Sequence, residues 1–290
     1  MSGQDSVIPF AFEALPVRGA LVQLDGAWKR MQEGHDYAEP VATILGHAAA
    51  ATSLIAQSLK FDGSVTLQIS SSGPLGMLVM QSTDDLGIRG MATSHDIADA
   101  DRFEDLVTGA HCAVTVDAGA MERPYQGIVE ICPESLAASL ENYFARSVQV
   151  PSHLSLATAA GHCGGIILQQ MPGELAATED DWRRLGFLIA TLRPGDLTQG
   201  ATQDLLHKLF AEDDVRAYSP RPVRFSCRCT QDRVEEVLRF LGEEETRSVL
   251  AEKGSVDVTC EYCGKTRSFD AVDVSRVFAD HVVESSDALH

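Results

Sequence analysis

The chain has 290 residues, 44% of them hydrophobic, which suits one large domain plus a smaller one with a real core. A formal net charge of −19 and a pI near 4.7 argue against a nucleic-acid partner, because such binding draws its affinity from neutralising phosphates. The same charge disfavours docking on anionic membranes.

The first basic residue is Arg18, so the N-terminus lacks the charged region of a secretory signal and a cytoplasmic location is expected. Val41 to Leu59 is the most apolar run. Thr43, His47, Thr52, Ser53, Gln57 and Ser58 sit there among small alanines, which predicts a buried helix rather than a membrane span. SVTLQIS alternates Val65, Leu67 and Ile69 with polar neighbours, the pattern of a half-buried strand. Met77–Met80, Ile88–Ala92, Cys112–Val116, Gly127–Ile131 and Gly165–Gln170 are further predicted strands, separated by breakers such as Asp62-Gly63 and Gly73-Pro74. A helix is predicted over Glu134–Ser147, with Leu136, Leu140, Tyr143 and Phe144 on one face. Runs of strands with a few long helices point to an α+β layered domain over residues 1–177.

From Thr178 the pattern turns helical. TEDDWRRLGFLIATL has Thr178 as a candidate N-cap, and ATQDLLHKLFAEDD puts Leu205, Leu206, Leu209 and Phe210 on one stripe. Pro220 and Pro222 then break the chain, so residues 178–220 read as a helical linker and 221–290 as a small terminal domain. Within that domain DRVEEVLRFLG and EEETRSVLAEKG each close on a glycine, Gly242 and Gly254, as helices do. SVDVTC and KTRSFD can pair as a hairpin.

Four of the seven cysteines fall in this domain as two tight pairs, Cys227-x-Cys229 and Cys260-x-x-Cys263, about thirty residues apart. A reducing compartment disfavours a permanent disulfide framework there. Four thiolates suit one tetrahedral zinc ion, and Gly264 suits the knuckle turn after Cys263. A segment this small buries little core, whereas zinc in such a site contributes about 10–16 kcal/mol of apparent folding free energy. Disulfides closed within each pair would contribute only about 2 kcal/mol. Oxidation would therefore cost the domain its fold. Spacing alone leaves open whether that sensitivity is a switch or an incidental property of a structural zinc site.

The other candidates are bland. Cys112, Cys132 and Cys163 lie in apolar strand contexts and read as small core residues. His162 and Cys163 are adjacent on a predicted strand and so point to opposite faces, which spoils a nucleophile–base pair. His281 could be a spare ligand, but four thiolates already saturate the site. Gly264-Lys265-Thr266 imitates the end of a phosphate loop, yet Thr259 stands where the partner glycine belongs. Glu243–Glu245 read as a solvated helix start.

With these residues in view the chain resembles the heat-shock protein 33 family of redox-regulated holdase chaperones. The likeness runs through VRGALVQL (17–24), KFDGSVTLQISSSGPLGMLVM (60–80), YQGIVEI (125–131), SLENYFARSVQVPSHLSLA (139–157), GGIILQQMPG (164–173), LLHKLFAEDDVRAYSPRPVRFSCRC (205–229) and VTCEYCGKTRSFDAVDV. The resemblance implies one zinc ion held by Cys227, Cys229, Cys260 and Cys263 in a reduced, inactive monomer. It also implies oxidation to Cys227–Cys229 and Cys260–Cys263 disulfides, zinc release, disorder of the terminal domain and linker, and dimerisation. The oxidised protein would then hold unfolding client proteins without ATP. The resemblance brings no catalytic residues, so no enzyme is expected, and the client-binding residues stay unassigned. The linker's apolar faces, Leu205, Leu209 and Phe210 among them, are expected to pack when reduced and come free when oxidised.

Two other classes compete. A zinc-ribbon nucleic-acid binder needs a basic face, and residues 221–290 carry 10 Lys+Arg against 14 Asp+Glu. A thiol oxidoreductase using Cys260 and Cys263 lacks a thioredoxin-like βαβ context and any obvious thiolate stabiliser between the cysteines.

Overall fold

The structure is a computed structural model that describes residues 5–58, 62–97, 100, 102–119, 123–172 and 177–286, with side chains described as far as 279. The chain divides into two compact units, Met1–Ser226 and Cys227–His290. Among the described residues no helix is long and apolar enough to cross a membrane.

The first unit begins with β1 (Ser6–Phe12), β2 (Val17–Leu24), α1 (Gly26–Gln32) and α2 (Glu39–Ser58). The chain continues through β3 (Ser64–Ser70), β4 (Met77–Thr83), β5 (Gly87–Thr93), α3 (Phe103–Leu106), β6 (His111–Asp117) and β7 (Tyr125–Val129). Next come α4 (Leu136–Tyr143), which runs on as a π-helical turn (Phe144–Val148), then β8 (Ser152–Ala159) and β9 (His162–Gln170). The unit closes with α5 (Glu179–Ala190), α6 (Pro194–Thr198), α7 (Thr202–Leu209) and three short strands, β10 (Val215–Ala217), β11 (Arg221–Pro222) and β12 (Arg224–Phe225).

Two sheets result. One has the order β10-β1-β2-β9-β8, with β11 also on β1; the other has the order β12-β5-β4-β3-β6-β7. The pairings are antiparallel except for β12 on β5.

Helix α2 lies between the sheets, packed on β2, β8 and β9 of the first and on β3, β4 and β5 of the second. Val41, Ile44, Leu45, Ala48 to Ala51, Leu54, Ile55 and Ala56 are all buried, as a helix apolar on every side must be. Burial also pushes the pKa of His47 down to about 4, so this helix carries a neutral imidazole at pH 7. At Gly46 a Cβ would meet Thr158 Oγ1 at 2.3 Å, so the close approach of α2 to β8 leaves no room for a side chain. The predicted helix over 41–59 is thus present, apart from Leu59, which lies outside the described residues.

The first sheet is covered on both faces. Val22, Leu24, Cys163 and Ile167 face the α2 core, whereas Leu21, Ile166 and Leu168 face a second cluster with Leu185, Ile189, Leu197, Leu206 and Phe210 from α5–α7. That double burial explains the unbroken apolar run of β9. The second sheet alternates instead: Leu67 and Ile69 are buried while Gln68 between them is exposed. The α+β layered class expected from the sequence is what the structure has.

The helical stretch after Thr178 packs closely on this unit. Thr178 Oγ1 accepts the Asp181 N–H at 3.1 Å, so the threonine is the N-cap that starts α5. Arg184 grips Asp213 with two hydrogen bonds of 2.9 and 2.6 Å, tying α5 to the turn after α7. Leu206 and Phe210 are buried, with Leu205 and Leu209 packed partly against the same cluster. The segment around Pro220 and Pro222, expected to break the chain, forms β10–β12 along the sheet edges, where a proline's missing N–H costs nothing. The compact boundary accordingly falls after Ser226.

The second unit contains α8 (Gln231–Leu241), α9 (Glu243–Lys253), a hairpin of β13 (Val256–Thr259) and β14 (Thr266–Phe269), and α10 (Ala271–Ser286). Gly254 takes the left-handed conformation that ends α9. The unit's buried cluster is Val234, Leu238, Val256, Phe269, Val274 and Val277.

Overpacking offers a direct check on the α2 sandwich. Ala49→Leu should lower the unfolding free energy by about 1–3 kcal/mol, because neither sheet can retreat without breaking its own packing. The urea midpoint of the full chain would report it.

Candidate metal centre

Two chain segments build the site. Cys227 and Cys229 lie in the extended stretch ahead of α8, where Thr230 Oγ1 accepts the Arg233 N–H and fixes the helix start. Cys260 and Cys263 lie in the tip of the β13–β14 hairpin. There Cys260 N–H donates to Lys265 C=O at 3.1 Å, and Cys260 C=O accepts from Cys263 (3.3 Å) and Gly264 (2.8 Å). Gly264 has φ +65°, the left-handed conformation that such a turn requires and that glycine adopts without cost.

The four sulfurs come within 4.8 Å of one another. Cys227 Sγ is 3.6 Å from Cys260 Sγ, and Cys229 Sγ is 3.4 Å from Cys263 Sγ. A tetrahedral zinc–thiolate site with bonds of about 2.3 Å has sulfur–sulfur edges of about 3.8 Å. The donors therefore fit a tetrahedral thiophilic metal. Among the described residues these four cysteines are the His, Cys, Asp or Glu group that could hold an ion.

Arg267 on β14 joins the two segments, donating from Nη2 to Cys229 C=O at 2.5 Å and from Nη1 to Gln231 Oε1 at 3.5 Å. Nothing in the sequence pattern singled it out, because one arginine in a hairpin strand carries no spacing signal. Burial raises the Cys227 and Cys263 thiols above their ordinary pKa. Burial also raises Cys229, but hydrogen bonds from Cys263, Cys227 and Cys260, with the Arg267 charge, outweigh it and leave that thiol below its ordinary value.

The remaining sequence candidates take no part. Burial pushes Cys112 up to about 12 and Cys163 well above the normal thiol range. His162 turns to Asp25, its Nδ1 3.4 Å from Oδ1, while Cys163 packs into the core on the other face of β9. Cys132 is half-buried, and its backbone N–H bonds to Ser139 Oγ. Glu243–Glu245 are the exposed first turn of α9, as expected of a solvated face. The side chain of His281 lies outside the described residues.

The family model described as Hsp33 protein matches residues 5–270. The chain belongs to the Hsp33 family. It is 36% identical over 285 residues to a 33 kDa chaperonin of Methylobacillus flagellatus, covering 98% of this chain and 97% of the relative. A 33 kDa chaperonin of Cronobacter sakazakii is 38% identical over 283 residues, covering 96% of each chain. The fold is also that of the crystal structure of the 33 kDa chaperonin (heat shock protein 33 homolog) of Thermotoga maritima. That match has a TM-score of 0.80 at 20% identity and covers 96% of this chain and 99% of the other.

The knuckle gives a quantitative handle. Gly264→Val forces a β-branched residue into the left-handed region at a cost of about 1–2 kcal/mol. About a tenfold faster loss of bound metal to a competing chelator is expected, with first-unit stability unchanged.

Proposed function

We propose that this protein is an ATP-independent, redox-regulated chaperone that holds unfolding client proteins and keeps them from aggregating. Residues 1–177 would be its core, 178–220 a linker and 221–290 the switch. The observation that carries the reading is the convergence of two sequence-local cysteine pairs on one tetrahedral set, in a unit with a small apolar core. The relatives' shared name, 33 kDa chaperonin, supports the chaperone part.

In the reduced state Cys227, Cys229, Cys260 and Cys263 hold one zinc ion. Bound zinc supplies the cross-link between the stretch before α8 and the hairpin tip, worth about 10–16 kcal/mol of apparent folding free energy. One hydrogen peroxide per pair would take two electrons from two thiolates, forming a disulfide, and two protons from solvent, leaving as two waters. The choice of partners decides whether the cross-link survives. Disulfides within pairs, Cys227–Cys229 and Cys260–Cys263, leave the two segments unconnected and contribute about 2 kcal/mol. Disulfides between the nearest sulfurs, Cys227–Cys260 and Cys229–Cys263, would close rings of over thirty residues, contribute about 4 kcal/mol and keep the cross-link. Only pairing within each motif removes the staple. The terminal domain then loses its fold, the linker's apolar faces are released, and exposed apolar surface captures clients.

The reading makes the protein a cytoplasmic, non-enzymatic binder, monomeric when reduced and dimeric when oxidised. It needs neither nucleic acid nor a membrane.

Light scattering of a heat-denatured client, without ATP, tests the switch. Suppression by peroxide-oxidised protein and none by reduced, zinc-loaded protein is the expected result. Equal suppression in both states would reduce the cysteine site to a structural staple. Peptide mapping of the oxidised chain should find the two within-pair disulfides; cross-linked pairs would contradict the unfolding step.

A further inference from the structure

The last stretch of the first unit, residues 215–226, behaves as a ligand bound to its own sheets. β10 pairs with β1 from Phe10↔Ala217 to Phe12↔Val215, β11 pairs with Ser6 and Val7, and β12 pairs with Gly87 and Ile88 of β5. Its amides donate outward along both edges: Tyr218 to Pro9 C=O (2.8 Å), Val223 to Asp5 C=O (2.9 Å), Arg224 to Leu86 C=O (3.2 Å) and Ser226 to Ile88 C=O (2.8 Å). Without this strap β1 and β5 would each be an open edge strand, a ready template for another chain.

The side chains define what fits. Val223 is 4% exposed and belongs to the main core, with Phe225 packed partly against it. Arg216 pairs with Glu13 at 2.7 Å, and Arg224 pairs with Asp85. Arg221 donates to Gln57 Oε1 (2.6 Å) and Asp84 C=O (2.7 Å). The edges thus receive an extended segment that alternates basic and apolar residues, on a chain whose net charge is −19. The strap itself pairs poorly. Its strands span three, two and two residues, and Pro220 and Pro222 contribute no amide. Its hold rests on Val223, the arginines and these few amides, and its far end leads directly into Cys227.

We propose that residues 215–226 are a pseudo-ligand occupying a strand-addition site at the β1 and β5 edges, and that this site takes extended, basic–apolar segments of non-native polypeptide once the strap is released. The proposal rests on the chaperone reading for its trigger. Main-chain pairing explains tolerance of many client sequences, and the Val223 and arginine positions give the preference.

A fluorescent peptide copying residues 213–226, DDVRAYSPRPVRFS, tests it by anisotropy against the full chain. Oxidised protein should bind the peptide at least tenfold more tightly than reduced, zinc-loaded protein. Replacing the peptide's three arginines by glutamate should weaken binding at least tenfold. Reduced chain carrying Arg221→Ala and Arg224→Ala should bind the native peptide at least tenfold more tightly than reduced unsubstituted chain. Oxidised protein that suppresses client aggregation yet binds native and charge-reversed peptides equally would overturn the strap site and leave the chaperone reading standing. Oxidised protein that gains peptide binding without suppressing aggregation would support the site and remove the chaperone reading.

Discussion

The architecture of the first unit depends on one helix being apolar all the way round. From Ala48 to Ala56 α2 meets a sheet on each side and every residue is buried, so that stretch has no solvent face on which to place charge. Alanines at 48–51 keep it thin enough for both sheets to approach, while Leu45, Leu54 and Ile44 each contribute about 1.5–3 kcal/mol of burial. The sheets inherit their patterns from this arrangement. The first has helices on both faces, and its strand β9 is buried almost end to end; the second has α2 on one face, and β3 and β4 alternate. α5–α7 then cover a face that would otherwise be a large exposed apolar surface.

The second unit is built on different terms. Its core is a handful of valines with Leu238 and Phe269. Phe240 is 95% exposed and Val237 55%, so apolar side chains that could have enlarged the core lie outside it. Cores of this size rarely supply more than about 3–5 kcal/mol, so a bound metal worth about 10–16 kcal/mol would outweigh the packing. Stability in the first unit comes from packing spread over many residues. In the second it would rest on four sulfurs and the turns that aim them.

What was legible in the sequence divides along the same line. The alternation of Val65, Leu67 and Ile69, the all-round apolar run of α2 and the Thr178 cap are local signals, and each matches its element. The four cysteines were legible because metal ligation fixes residue type and spacing together. β1 escaped because Pro9 interrupts its pattern, though the proline is tolerated where its C=O, not its missing N–H, is used. The strap escaped for a related reason: strands of two or three residues have no period to read, and their pairing is decided by edges far away in sequence. Arg267 escaped because its partners, Cys229 C=O and Gln231, are fixed by tertiary structure alone. α6 is a single turn whose start, a capping box closed by Asp196 onto the Arg193 N–H, looks like part of the preceding helix.

These differences grade the molecule along its chain. Local opening costs least where buried contacts and amide pairing are sparse, and most where they are dense. The α2 sandwich stands at one end of that scale. The strap, interrupted by prolines and anchored by Val223 and three arginines, stands well below it. Directly after the strap comes Cys227, the first of four ligands on which a conditional fold would depend. A chemical change at the sulfurs would therefore meet the chain next to a stretch held by only short strand pairings, while the sheets keep their own packing and hydrogen bonds. That order, a self-sufficient core followed by a briefly paired strap and then a unit whose fold would lean on four sulfurs, would let one end unfold without dismantling the other.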